Sequence, residues 1–286
     1  MGDEHNNSSG AQNELSRPSA KEIYVEVAAN ARDELKRSWL SLAISGLAGG
    51  MFMGLSGLGV AISTALLGPS QASHYIAQMF YPLGFMVVIL GRAQLFTENT
   101  LYPVALSLAE RKYFGHTLRL WAIVLTANIV GAGVFALLVA RTSALKPEFL
   151  SELAHIGIES AQRPSSSIFW SAVLAGWMIA TVAWLVSASH SISGSVIVIW
   201  ALTFVIGLGH FAHCIAGSGE VITALLTKQI AWTGYIRWMA LAVAGNVCGG
   251  VLIVTLLEYG QVISDKAGEK AIAEDAQKHA AEGAEL

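Results

Sequence analysis

The sequence predicts an all-α integral membrane protein with six transmembrane helices in a 3+3 inverted repeat, in which helices 2 and 5 are interrupted. Three observations predict it. The first is composition. Of 286 residues, 54% are hydrophobic and only 13% charged, with a mean hydropathy of +0.55; a soluble domain is typically about a quarter charged. The charges crowd into the two ends, so the middle of the chain has too few to cover the surface of a soluble fold. The second is the presence of six apolar stretches that reach the ~20 residues a helix needs to cross a hydrocarbon core of roughly 30 Å. The third is a polar, glycine-rich interruption in the second and the fifth of them, at places 116 residues apart.

The elements follow in chain order. Residues 1–38 read as a polar cytoplasmic tail, with no apolar run of the kind a signal peptide needs. Within it Ile23, Val27, Ala31 and Leu35 recur every fourth residue, one face of an amphipathic helix expected to lie along the membrane surface. Residues 39–260 form the membrane domain, with spans at Trp39–Leu67, Phe80–Leu108, Leu118–Ala140, Ile168–Ser187, Val196–Thr227 and Ile236–Tyr259. Gly46, Gly50, Gly54 and Gly57 give span 1 a small-residue rhythm suited to close helix packing. Residues 261–286 form a cytoplasmic tail rich in Ala, Glu and Lys, expected as a solvated helix or a disordered segment.

With spans alternating, one side of the membrane carries eleven Lys and Arg and the other five. The positive-inside rule then puts both termini in the cytoplasm. The halves also resemble each other. Ala127-Asn128-Ile129-Val130-Gly131 in span 3 matches Gly245-Asn246-Val247-Cys248-Gly249 in span 6, and Leu47-Ala48-Gly49 in span 1 matches Leu174-Ala175-Gly176 in span 4. Three helices per half is an odd number, so the second half enters from the opposite side. Paired interrupted segments in such a repeat point to the permeation site.

A net charge of −3 offers no nucleic-acid footprint, and Cys214 and Cys248 lie inside apolar segments, which speaks against a disulfide framework. The chemistry is confined to the interruptions. Leu95-Phe96-Thr97-Glu98-Asn99-Thr100 frees backbone N–H groups and hydroxyls for a small polar solute, with Leu95 and Phe96 as an apolar plug; a kink with locally satisfied side chains is the alternative. His210 and His213 lie at membrane depth in Gly209-His210-Phe211-Ala212-His213-Cys214. An intramembrane ionisable residue is a functional candidate, and a histidine there can give a proton to an anion or share one with it. Each could instead be a structural histidine bonded to a carbonyl. Apart from Cys214, no carboxylate or thiolate cluster accompanies them to complete a metal site, and no cofactor is expected. Arg92 and Glu220 flank the breaks and either pair, cap freed helix ends or line vestibules. Asn128 and Asn246 are expected to bond across helices.

At these residues the chain resembles the formate/nitrite transporter family over about residues 20–260. The resemblance rests on Leu95-Phe96-Thr97-x-Asn99-Thr100, on Phe211-x-His213-x-Ile215-Ala216, and on the Asn-x-x-Gly pairs Asn128/Gly131 and Asn246/Gly249. It implies an aquaporin-like fold, a homopentamer with one pore per protomer, and passage of small monovalent anions, often with a proton. His213 then matches the family's central histidine, Thr97 the threonine of the span-2 loop, and Leu95 and Phe96 the cytoplasmic constriction. Tyr81, Phe85 and Ile206 fall where the family has its bulky periplasmic constriction. The chain departs from the pattern at Gln94 and Ala212, where the family usually has acids. It departs again at His210 for a glycine and Gly176 for an asparagine, and Arg163 is the nearest equivalent of a vestibule lysine. This is the signature of a divergent branch.

Other readings remain. A neutral-solute pore of aquaporin type would place two Asn-Pro-Ala motifs at its half-helices, and the sequence contains none. A haem- or metal-carrying membrane protein would use His210 and His213, and a scaffold would have a sealed pore. The leading expectation is a channel or secondary transporter for a small weak-acid anion, embedded in lipid, with His213, Thr97, His210 and Asn99 along the pathway and no enzymatic chemistry.

Overall fold

The computed structural model describes residues 18–189, 191–264 and 266–281, and over them the fold is built from helices without strands. The N-terminal helix α1 (Ala20–Lys36) starts at a capping box: Ser19 Oγ accepts from the Glu22 N–H, and the Glu22 carboxylate accepts from the Ser19 N–H at 2.7 Å. Then come α2 (Trp39–Leu67), α3 (Gln71–Gln78), α4 (Pro82–Leu90), α5 (Tyr102–Glu110), α6 (Phe114–Arg141) and α7 (Pro147–Gln162). The remainder is α8 (Ser165–Ser187), α9 (Ile192–Leu208), α10 (Ala216–Leu226), α11 (Trp232–Val247), α12 (Leu256–Ile263) and α13 (Lys266–Ala281). Five runs are long and apolar enough to cross a membrane: Trp39–Leu67, Gln71–Leu90, Phe114–Arg141, Ser165–Ser187 and Trp232–Ile263. The shorter apolar helices α9 and α10 lie either side of the second interruption.

The breaks fall where the sequence places them, between α4 and α5 and between α9 and α10, while the helix ends extend beyond the hydropathy windows. Capping explains the extension. Ser70 accepts from the Ser73 N–H and starts α3 nine residues ahead of Phe80, and Ser191 accepts from the Gly194 N–H and starts α9 ahead of Val196.

Close helix crossings hold the bundle together. A side chain at Gly50 of α2 would collide with the Asn128 backbone of α6, and one at Gly131 with the Leu47 carbonyl. In the other half, Gly176 of α8 abuts the Asn246 backbone and Gly249 abuts the Val173 carbonyl. Only glycine permits these approaches. Large apolar side chains such as Trp39, Ile44, Trp170, Ile197 and Leu257 face outward, as lipid-facing residues do.

Three features depart from the sequence reading. First, the apolar face of α1 is turned into protein: Tyr24, Val27, Ala31 and Leu35 are buried, and the helix packs on α5, α8 and α12 rather than presenting that face to a membrane surface. The buried Arg32 guanidinium fixes it there, bonding Glu110 at the end of α5 and Asp275 of α13. Second, the C-terminal segment, expected as a solvated helix or a disordered tail, is a largely exposed helix that also docks on α1 through Asp275 and the buried Ala271. Residues 1–17, 265 and 282–286 of the two tails lie outside the described residues. Third, the connection between spans 3 and 4 carries a helix, α7, with Leu153, Ala154, Gly157 and Ala161 buried against the bundle.

Between α11 and α12 the helix widens into a π-helical stretch, Cys248–Thr255. The Thr255 hydroxyl donates to the Thr100 carbonyl at 2.9 Å, and Gly250 lies against the Thr100 side chain. The widened turn thus docks on the first interruption, a placement in keeping with the occurrence of π-turns at functional sites.

Candidate functional site

Each interruption begins the same way. Gly91 and Gly209 end their helices, and the next residues, Arg92 and His210, adopt left-handed backbone (φ 57° and 50°). The chain then reverses, with Ala93 N–H donating to the Val88 carbonyl and Phe211 N–H to the Ile206 carbonyl. An asparagine 32 residues downstream secures each loop. Asn128 accepts from Phe96 N–H at 2.9 Å and donates to the carbonyls of Gly46 and Gln94. Asn246 accepts from Cys214 N–H at 2.8 Å and donates to the carbonyls of Ala172 and Ala212. Backbone polar groups inside a membrane need such partners, and these two side chains supply them.

The two loops meet at Thr97 and His213. Thr97 Oγ1 lies 2.8 Å from His213 Nε2, and both residues are buried. The other ring nitrogen, Nδ1, accepts from the Ala216 N–H at 3.1 Å. A neutral imidazole has one N–H and one lone pair. With Nδ1 taken up by a donor, the proton sits on Nε2 and points at the threonine oxygen. The Thr100 hydroxyl donates to the Thr97 carbonyl at 2.7 Å and stiffens the loop.

Apolar side chains enclose the pair. Leu95 and Phe96 are buried on one side; the Trp121 indole packs edge-on to Phe96 at 5.7 Å and donates to the Asn99 carbonyl at 2.8 Å. On the other side the Phe85 ring stands edge-on to the His213 ring at 5.0 Å, with Tyr81 at 5.6 Å from Phe85. Tyr81 and Ile206 form part of a cavity wall there, while Phe85 packs behind it against the histidine.

Two recesses approach this centre. The larger, about 610 Å³, is bounded by α7 and the second break and reaches His213; Tyr81, Ile206, His210, Glu220 and Trp238 line it. The smaller, about 60 Å³, lies near α1 and ends at Leu95, Glu98 and Asn99. The Asn99 amide donates to the Gln94 side chain at 3.0 Å, which fixes it at the floor of that recess.

The structure separates His210 from His213. His210 stacks on His74 at 5.1 Å in the larger recess, and its carbonyl accepts from Arg163. Arg163 therefore stands at the edge of this cavity, with its remaining donors on Ser167. Arg92 and Glu220 do not pair: Arg92 belongs to the small recess and bonds Asn30 at 3.4 Å, while Glu220 belongs to the large one. Among the described residues no three His, Cys, Asp or Glu side chains group as metal ligands would.

His74, Trp121 and Trp238 escaped the sequence reading. Each sits in an ordinary apolar or loop context, and only the folding of distant helices brings it to the centre.

Comparison with known proteins agrees with this architecture. The family model described as Formate/nitrite transporter matches residues 21–260. The chain is 32% identical over 254 residues to Inner membrane protein YfdC of Escherichia coli (strain K12), covering 88% of this chain and 81% of that protein. Among solved structures, an FNT family ion channel superimposes with a TM-score of 0.77 at 17% identity, covering 84% of this chain and 98% of that one. A structure titled pentameric formate channel with formate bound gives a TM-score of 0.70 at 16% identity, covering 79% and 98%. With the helix breaks and their polar centre in the same stretch of chain that the family model covers, this protein belongs to the formate/nitrite transporter family and is an anion channel or transporter.

Proposed function

We propose that the protein carries small monovalent weak-acid anions of formate or nitrite size across the bacterial inner membrane, with proton sharing at His213. The observation that carries this reading is the Thr97–His213 pair, a buried polar contact with Phe85 edge-on to the imidazole and the buried Leu95 and Phe96 just before Thr97 in the chain. A bare anion loses several kcal/mol of hydration on entering so dry a passage. The neutral acid loses far less. Arg92 and Arg163, one at each recess, attract the anion, and the central pair then offers it a hydrogen bond and a proton. For His213 to hold a second proton, Nδ1 must give up the Ala216 N–H bond, so its protonation is coupled to a small movement of the loop.

The same reading includes a 3+3 inverted repeat, supported by the matched loops and asparagines, and termini on the cytoplasmic side. It also includes a homopentamer with one pore per protomer, by analogy with the solved pentameric formate channel. The relative named as an inner membrane protein supports the location. The test is flux of a panel of small monovalent anions into proteoliposomes at an acidic and a neutral pH. Weak acids should outpace a permanently charged anion of similar size, increasingly so at the lower pH. Equal rates at both pH values would refute proton sharing, and native mass spectrometry showing no pentamer would refute the assembly.

A further inference from the structure

The larger recess contains a carboxyl group with no part in the scheme above. Glu220 stands on the second turn of α10, is 6% exposed, and lines the same cavity as His213. The backbone makes room for it. A β-carbon at Gly57 of α2 would lie 2.6 Å from Glu220 Oε1, and Gly217 leaves the other face open to Trp238. Among the described residues, no hydrogen bond or ion pair holds the carboxyl. Its neighbour in the lining, Trp238, also has an indole N–H that is fully buried and unpartnered.

The surrounding groups include one cation, Arg163, and its guanidinium is bonded to the His210 carbonyl and Ser167 rather than to the carboxyl. From the α3–α4 junction comes Tyr81, and from the break come His213 and His210, the latter stacked on His74 of α3. From α7 and its end come Glu159, 3.8 Å from His155, and Arg163, whose guanidinium donates to the His210 carbonyl and Ser167. The facing part of α2 offers Gly57 and Val60, α6 offers Phe135 against the neighbouring Gly219, and α11 offers Trp238, none of them ionisable. A lone buried carboxylate is costly and a neutral carboxylic acid is not. A group in this position therefore gains or loses its proton as charge enters or leaves the cavity.

We infer that Glu220 is a proton-exchanging residue of the permeation pathway, handing its proton to a weak-acid anion in this cavity before the neutral acid moves on to His213. In that step the Glu220 O–H bond breaks and an O–H bond on the anion forms, leaving a carboxylate on Glu220. Solvent entering by the same mouth then returns a proton to the carboxylate, and transport in the other direction runs the step in reverse. The local bonding favours Glu220 over His213 for this task. Both ring nitrogens of His213 are engaged, whereas the Glu220 carboxyl exchanges a proton without breaking any hydrogen bond. This inference rests on the weak-acid reading above.

The test uses the full chain in proteoliposomes, with formate as probe and nitrate as the permanently charged control, alongside infrared difference spectra on adding formate. Glu220→Gln, nearly the same size, should assemble as the wild type does. It should cut formate flux by about tenfold relative to nitrate, less than the ~10²–10⁴ that a sole proton donor contributes because His213 remains. It should also abolish a formate-dependent change in the carboxylic-acid C=O band. If the variant does not assemble, Glu220→Asp, which keeps the acid but withdraws it from the cavity, should give intermediate flux. Wild-type formate flux in an assembled Glu220→Gln, with an unchanged pH profile, overturns the inference. So does a wild-type C=O band that ignores formate. A wild-type protein that passes no weak acid overturns the transport reading instead, and Glu220 is then judged by whether its C=O band follows pH: a band that does not titrate overturns the inference, and one that titrates and is missing from Glu220→Gln upholds proton exchange.

Discussion

The Thr97 hydroxyl and the His213 ring are separated by 116 residues of chain and by 2.8 Å of space. That contact joins the two helix interruptions, and its direction is set by a third group, the Ala216 N–H, which occupies Nδ1 and leaves Nε2 to carry the proton. The pairing is thus oriented as well as close. It makes the centre of the protein a hydrogen-bond donor toward anything that displaces the threonine.

His213→Phe keeps an aromatic ring against Phe85 but removes both ring nitrogens. Weak-acid flux should fall by about a hundredfold relative to a permanently charged anion of similar size, because the change removes the central hydrogen bond at Thr97 together with a proton donor. His210→Gly should be milder, because His210 touches His74 rather than Thr97 and its left-handed backbone suits glycine. Proteoliposome flux of both variants checks this. Unchanged weak-acid flux and pH dependence in an assembled His213→Phe would make His213 a structural residue.

Asn128→Leu and Asn246→Leu should each destabilise the protein by roughly 2–4 kcal/mol. Either change leaves a buried loop N–H without a partner and removes one bond from each of two carbonyls, and an unsatisfied buried group costs about 1–3 kcal/mol. Thermal unfolding in detergent should show lowered midpoints of similar size for the two variants. A large difference between them would mean that the two loops are not equally dependent on their asparagines.

Much of this fold is legible in the residues. The polar, glycine-rich interruptions announce the breaks because such backbone survives in a membrane only inside protein, and the Asn-x-x-Gly pairs mark the side chains that secure them. The histidines are harder. His210 and His213 share a short segment, yet the left-handed turn at His210 sends one to a cavity wall and the other to the centre. Periodicity carries no trace of such a turn. The docking of α1 was hidden for another reason: an apolar stripe reads alike whether lipid or protein covers it, and only the burial of Arg32 against Glu110 and Asp275 decides the matter. The π-helical turn at Cys248–Thr255 has no local signature, since it exists to meet Thr100.

The cluster around Arg32 gives a pH prediction. Burial alone would push the Glu110 carboxyl up, but Lys112 at 2.9 Å and Arg32 outweigh it and hold the group below the usual carboxylate range. A carboxylate whose pKa is depressed by folding adds stability above its unfolded pKa and loses it as pH falls through the folded value. Anchoring of α1 and α13 should therefore weaken below about pH 4, the ordinary range of an unfolded glutamate. Glu110→Gln should remove that acid sensitivity and cost stability at neutral pH. Limited proteolysis of the α1 segment across pH reads both effects, and an identical pH profile in the variant would assign the acid response to a group other than Glu110.

The last prediction concerns the plug. Phe96 is 2% exposed, its backbone N–H is tied to Asn128, and Trp121 holds its ring edge-on. Because Trp121 is itself pinned to the Asn99 carbonyl, the ring has little room to swing, and on the proposed pathway it would keep this level dry. A dry constriction discriminates by charge, since it costs an anion its hydration but costs a neutral acid little. Phe96→Ala should admit water beside Leu95 and lower that penalty. Flux of a permanently charged anion such as nitrate should then rise by about tenfold or more, equivalent to ~1.4 kcal/mol of barrier, while flux of formate changes less. The preference for weak acids, rather than the overall rate, is the quantity to measure. If Phe96→Ala leaves that preference intact, discrimination lies at Phe85 and Tyr81 on the other side of His213, and Phe85→Ala becomes the variant in which it disappears.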